Sequence, residues 1–407
     1  MSILFITTAE TEVLALDMAL RGMSAEGVPP VRAVAARQLT DAATAQNLLT
    51  SRPQTRLVLA RLLGGKAGLG EEPFHALAGA CRDRGIPFLA LPGDSQPDAG
   101  LAAASTVPSS IASVAFEYLL HGGTANMEHL VRFLADEMLG TSLGYDPPAP
   151  LPWDGLYHPD LPSGALLDQH LVRLKPNAPT IGVLFYRAAW MSGDTAAIDA
   201  IIRALEARGA NVLCAFCYSL KDEDAASTGA PAVVRRYLLD DAGRPRIDAL
   251  ISTLSFSIGN LNVEGATVAS GWSVDYLSKL DVPIIQGVLV SSPREQWLAS
   301  AAGLSPIDAA MKVAMPEFDG HIIGPPVAFR EAAEASALGT NVLRLVPDEE
   351  GVSVIAEQAL AWAKLRQTPN ARKRVAIVLA NYPTKNARIG NAVGLDSTES
   401  VVRLLHA

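Results

Sequence analysis

Short unbroken apolar runs alternate along this chain with stretches in which apolar residues return every third or fourth position. The first rhythm predicts strands buried on both faces, and the second predicts helices lying against them. From residue 1 to about 145 the runs Ile3–Thr7, 31–36 (VRAVAA), 55–60 (TRLVLA) and 87–93 (PFLALPG) read as strands. Helical spacing fills 9–22, 41–50 and 73–84 between them. Strand, helix, strand, helix implies a parallel sheet covered on both faces. Two further helices close this region, separated by HGGTAN; after that break Met127, Leu130, Val131, Leu134 and Met138 keep one helical face.

Periodicity then stops. GYDPPAPLPWDGLYHPDLPSG is proline-rich and reads as a linker or crossover. From Thr180 the alternation restarts. TIGVLFY is a strand, and DTAAIDAIIRALEARG is a helix with Ile198, Ile201, Ile202 and Leu205 on one face, a polar cap at Asp194 and a stop at Gly209. NVLCAFCYSL, IDALISTLSFS, VPIIQGVLV and GTNVLRLVP follow as strands, and a long helix covers 349–367. Val375–Ala380 reads as one more buried strand. Asp396 and Glu399 then stand at capping-box spacing before apolar Val401, Leu404 and Leu405. The expected fold is α/β: two doubly wound, Rossmann-like parallel-sheet domains at 1–145 and 179–370, a crossover at 146–178, and the start of a further domain at 371–407.

A length of 407 residues supports more than one core. With 49% hydrophobic and 18% charged residues the chain is globular, and a net charge of -9 argues against nucleic acid and anionic membrane as partners. Three cysteines make no disulfide framework, so a reducing, cytoplasmic setting is expected. The first residues, MSILFITTAETEVLAL, lack the basic start of a signal peptide, and no apolar run reaches the length of a membrane span.

Several patterns resemble chemistry without carrying it. Cys214 and Cys217 have the spacing of a redox or metal pair but lie inside a strand, where positions three apart face opposite sides. His121, Glu128 and His129 are explained by a helix stop and a helix start. The glycines before Lys66 lack the full phosphate-loop pattern. Stronger candidates follow the strands of the second domain, where ligands of open α/β sheets bind. They are Arg187, Trp190, Ser192 and Asp194, then Ser255, Ser257 and Asn260, then Ser291, Ser292, Arg294 and Trp297.

Seven segments occur in one order: RLLGG at 61–65, ALPGDSQPD at 90–98, YLLHGGTANMEHLVRFL, GLYHPDLP, FYRAAWMSGDTAAIDAIIRALEARG, MPEFDGHI and LANYPTKNARIGNAVGLDSTES. Together they resemble the large subunit of aerobic cobaltochelatase, the CobN type, with the large subunit of magnesium chelatase as a relative. The resemblance covers essentially the whole chain. It departs where KAGLGEEP follows RLLGG and where STES follows GLD. It implies that the chain is the N-terminal portion of a subunit that binds a tetrapyrrole. The complex would insert Co2+, as substrate, into hydrogenobyrinic acid a,c-diamide during cobalamin biosynthesis. No cofactor is expected on this chain. ATP and Mg2+ would be used by partner subunits of the AAA+ class, and the C-terminal remainder of the large subunit would be a further partner. The alternatives are a magnesium chelatase subunit acting on protoporphyrin, or a non-catalytic docking module.

Metal insertion requires a held ring, a base for the pyrrole protons and a metal that sheds its waters. Glu317, Asp319, His321 and His158 are the weak candidates for the base. The acidic and amide groups around the ring call for donors, and Arg187, Arg294, Lys385 and Arg388 suit that role, with Tyr382 and Asn391 in the same final loop.

Overall fold

A computed structural model describes residues 1–407 other than 25, 95, 163, 221–228, 258–259, 262–271, 274, 333–335, 337, 381–389, 391, 393 and 407. Two compact units divide the chain, Met1–Ala363 and Lys364–Ala407.

The first unit holds two sheets. In one, β1 (Ser2–Thr7), β2 (Val31–Ala35), β3 (Thr55–Leu62) and β4 (Phe88–Pro92) run parallel in the order β2-β1-β3-β4. All six residues of β1 are buried. Its period of two divides the apolar side chains between two cores. Ile3 and Phe5 join Leu57, Leu59 and Leu89 under α1 (Glu10–Gly22) and the 109–139 region. Leu4 and Ile6 join Val58, Ala60 and Phe88 under α2 (Ala42–Thr50) and α3 (Glu71–Asp83). The helices α4 (Ser109–His121) and α5 (Gly123–Leu139) break where expected, at Gly122 and Gly123, whose φ of +66° and +85° suits glycine.

The second sheet has seven strands: β5 (Gly155–Tyr157), β6 (Thr180–Tyr186), β7 (Asn211–Cys217), β8 (Ala249–Ser252), β11 (Ile284–Val290), β12 (Ile322–Ala332) and β13 (Leu343–Pro347). Their order is β13-β12-β11-β8-β6-β7-β5, and a short ladder joins β9 (Asn260–Leu261) to β10 (Trp272–Ser273). The five central strands are parallel and wind outward in both directions from β6. Helices α6 (Arg187–Ser192), α7 (Ala196–Ala207) and α8 (Glu349–Gln367) follow their strands; α7 and α8 cover one face of the sheet. Cys214 and Cys217 go to opposite faces and are buried, as their strand position predicts.

The structure corrects four expectations. Both edges, β5 and β13, are antiparallel. The proline-rich stretch is more than a linker: it contributes β5, which closes the sheet beside β7. The signal is hidden because Gly155 supplies no side chain: a Cβ there would lie 2.8 Å from the Phe216 ring. β12 escapes the sequence pattern because it contains Pro325 and Pro326, which cannot donate to a ladder. Pairing with β13 begins only at Ala328, so the prolines stand where β12 has β11 as its neighbour. Finally, Val375–Ala380 is not a strand. It finds no sheet among the described residues, and Val375 and Val378 are exposed.

The second unit contains α9 (Ser397–His406). Asp396 accepts a hydrogen bond from the Glu399 backbone N–H at 2.9 Å, the first half of the expected capping box. No residue of α9 is buried, and the Gly390 N–H donates to the Ala380 carbonyl.

Candidate functional site

In doubly wound sheets the winding direction reverses beside the first strand, and the loops there leave a crevice. The reversals fall between β1 and β3 and between β6 and β8. A cavity lies at each. The first, about 370 Å3, is bounded by Glu12 of α1, Arg61 at the end of β3, Gly93 and Asp94 after β4, Leu119 and Met127, and by Trp153, Arg187, Met191 and Tyr218 from the second half. The second, about 220 Å3, is lined by Phe185, Tyr186, Asp194, Thr253, Ser255, Ser291, Lys312 and Arg330. Thr11, Ala188 and Ser192 line both, so the two form one crevice where strand ends of both sheets converge.

Charge in this crevice is buried. Arg61 is 6% exposed and lies 2.7 Å from the Glu12 carboxylate. Burial pushes the Glu12 carboxyl up, against the pull of Arg61 and the Thr7 hydroxyl. Burial likewise lowers the pKa of Arg61 and of Arg187. Arg187 donates from Nε to the Pro152 carbonyl (2.7 Å) and from Nη2 to the Leu151 carbonyl (3.2 Å), and its guanidinium lies 4.7 Å from the Trp153 ring. The crossover is thereby fastened to the end of β6.

In the second cavity Asp194 does not cap α7. Its carboxylate accepts the Leu345 backbone N–H at 3.1 Å and is pushed up by burial. Ser291 and Lys312 share Asp308: the Ser291 hydroxyl and N–H donate to it at 2.8 and 2.9 Å, and Lys312 Nζ is 2.6 Å away. Burial raises Asp308, but these donors outweigh it and hold the carboxylate low. The Tyr186 hydroxyl donates to the Ser255 carbonyl at 2.8 Å.

Of the sequence candidates, Arg187, Ser192, Asp194, Ser255 and Ser291 therefore line the crevice. Others do not. Trp190 stacks on Phe216 at 4.5 Å and packs against the core. Arg294 pairs with Asp348 at 2.7 Å, and its N–H donates to Glu331. Ser292 lines neither cavity. The Ser257 hydroxyl donates to Asp319 at 2.7 Å, and His321 Nδ1 lies 2.9 Å from Gln286 Oε1, both away from the crevice. Glu317 is exposed on the turn Met315–Phe318. His158 sits at the other end of the second sheet, 2.9 Å from Glu206. Tyr382, Lys385, Arg388 and Asn391 lie outside the described residues. Sequence reasoning misses Glu12, Arg61 and Trp153 as crevice residues. Arg61 stands in the RLLGG segment, but a single arginine ending a strand gives no sign of what it faces.

A model of the CobN/Magnesium Chelatase family matches residues 116–407. The aerobic cobaltochelatase subunit CobN of Pseudomonas aeruginosa is 34% identical over 86% of this chain and 27% of its own length. The large, H-type magnesium-chelatase protein of Cereibacter sphaeroides is 31% identical over 72% of this chain and 25% of its own. The solved catalytic subunit of cobaltochelatase from Mycobacterium tuberculosis superposes with a TM-score of 0.74 at 32% identity, covering 99% of this chain and 30% of that one. The chain thus spans under a third of the length of these relatives, and it belongs to the CobN/magnesium chelatase family.

Proposed function

We propose that this chain forms part of the tetrapyrrole-binding large subunit of a cobaltochelatase, in which Co2+ enters hydrogenobyrinic acid a,c-diamide. ATP hydrolysis falls to AAA+ partner subunits that use Mg2+, and the rest of the large subunit completes the site. The observation that carries the reading is the crevice itself. Loops at the carboxyl ends of two sheets converge on it and present buried cations beside apolar side chains. Such a lining suits a large apolar ring edged with acidic groups. Cobalt is favoured over magnesium because the cobaltochelatase relative matches 86% of the chain and the magnesium relative 72%. The carboxyls that face the crevice, Glu12 and Asp194, are both made more basic by burial, the direction a pyrrole-deprotonating base requires.

Titrating the chain with hydrogenobyrinic acid a,c-diamide, followed by absorbance, tests the reading. A saturable spectral change that is weaker with protoporphyrin is expected. No change with either ring would remove tetrapyrrole binding from this part of the large subunit and leave a docking role.

A further inference from the structure

Arg61 is a buried cation with most of its hydrogen-bonding capacity unused. A guanidinium has five N–H donors in a planar fork. Here Nη2 donates to the Gly93 carbonyl at 3.2 Å. Nε stands 2.7 Å from Glu12 Oε1 but makes no hydrogen bond to it, and Nη1 has no partner among the described residues. Buried charged donors left unmet cost free energy until a partner arrives. The residue lines the larger cavity, opposite Leu119, Met127, Trp153 and Met191.

We propose that Arg61 is the seat for a carboxylate side group of the ligand, with the ligand's apolar body against the Trp153 and Met191 wall. The fork of Nη1 and Nη2 matches the two oxygens of a carboxylate. A doubly charged phosphate fits less well, because Glu12 and Asp94 line the same cavity and offset the charges of Arg61 and Arg187. An amide or ester in place of the acid loses the charge-assisted contact, so the seat distinguishes free acids from neutral groups at one position of a ring's edge. The identity of the body as a tetrapyrrole rests on the function proposed above; the seat itself rests on Arg61.

The test compares hydrogenobyrinic acid a,c-diamide with its methyl ester on the 407-residue chain, and glutarate as a bare carboxylate probe. Arg61→Met should weaken binding of the acid about tenfold or more, the effect of one lost charge-assisted contact, and leave the ester unchanged. Glu12→Gln, which removes the competing carboxylate and leaves Arg61 intact, should tighten the acid. A purely structural Arg61–Glu12 pair predicts lower thermal stability in both variants and the same acid-to-ester ratio as the parent; that result overturns the proposal. If the chain binds neither ring, the tetrapyrrole reading falls, and glutarate decides the seat alone. A shift of the Arg61 Nε resonance upon adding glutarate upholds it, and an unmoved resonance sinks it. Arg61→Lys, which keeps the charge without the fork, replaces Arg61→Met if the latter does not fold.

Discussion

At the scale of single residues, the crevice is only partly legible in the sequence. Asp194 reads as a helix cap because it precedes a helical stretch, yet its carboxylate reaches across 151 positions to the Leu345 N–H. Local spacing carries no information about such a partner. His321 shows the same limit. Its residue type suits a base, but it is buried, its Nδ1 is held by Gln286 Oε1, and Gln286 Nε2 in turn donates to the Leu254 carbonyl at 2.7 Å. Burial lowers its pKa from 6.5 to about 4, with Asp319 opposing. The folded state therefore keeps this imidazole neutral while the unfolded chain protonates. Stability is fully present above about pH 6.5 and is lost as pH falls from there toward 4. His170, buried and lowered to about 4 by the same cause, adds to the effect. Urea midpoints measured from pH 7 to pH 4.5 should fall, and His321→Gln should flatten the slope. An unchanged slope would mean that the imidazole takes up its proton in the folded protein.

At the scale of elements, patterns reveal the central strands and their helices because both faces of each parallel strand are covered, so the apolar runs are unbroken. The same logic fails at the edges. β5 is three residues long and β12 carries two prolines, and each exists only because a neighbour accepts it. Close packing there rests on glycine. Helix α8 meets β12 at Gly351, where an added Cβ would lie 1.7 Å from the Pro326 carbonyl oxygen. Backbone cannot move aside as a side-chain tip can. Gly351→Ala should thus cost about 2 kcal/mol or more, despite alanine's better helix propensity. Chemical denaturation checks this, and a stabilised variant would show that α8 can slide on the sheet.

At the scale of the molecule, the two compact units differ in how they are held. The first has buried cores on both faces of each sheet. In the second, the 373–380 backbone pairs with no strand among the described residues, and Val375 is 83% exposed. Limited proteolysis should cut first between 373 and 380 and leave Met1–Ala363 intact. Earlier cleavage within 180–217 would contradict this account. Inside the first unit, the sheets are tied by residues distant in sequence. Asp17 of α1 is wholly buried and meets Arg344 at 2.6 Å, the Ser336 hydroxyl at 3.0 Å and Arg21 at 2.8 Å. Burial raises its pKa, but these donors prevail and keep it ionised. Leu338 and Val342 enter the core beneath the first sheet, and the Leu338 carbonyl accepts the Ala33 N–H of edge strand β2. This tie sets an order of events on the ribosome. When residue 145 has been made, α1 and β2 await partners that emerge nearly two hundred residues later, roughly 10 to 40 s at bacterial elongation rates. Until then a buried-type carboxylate and an open strand edge stay in water, so the nascent first sheet is the stage at which this chain is most in need of a chaperone.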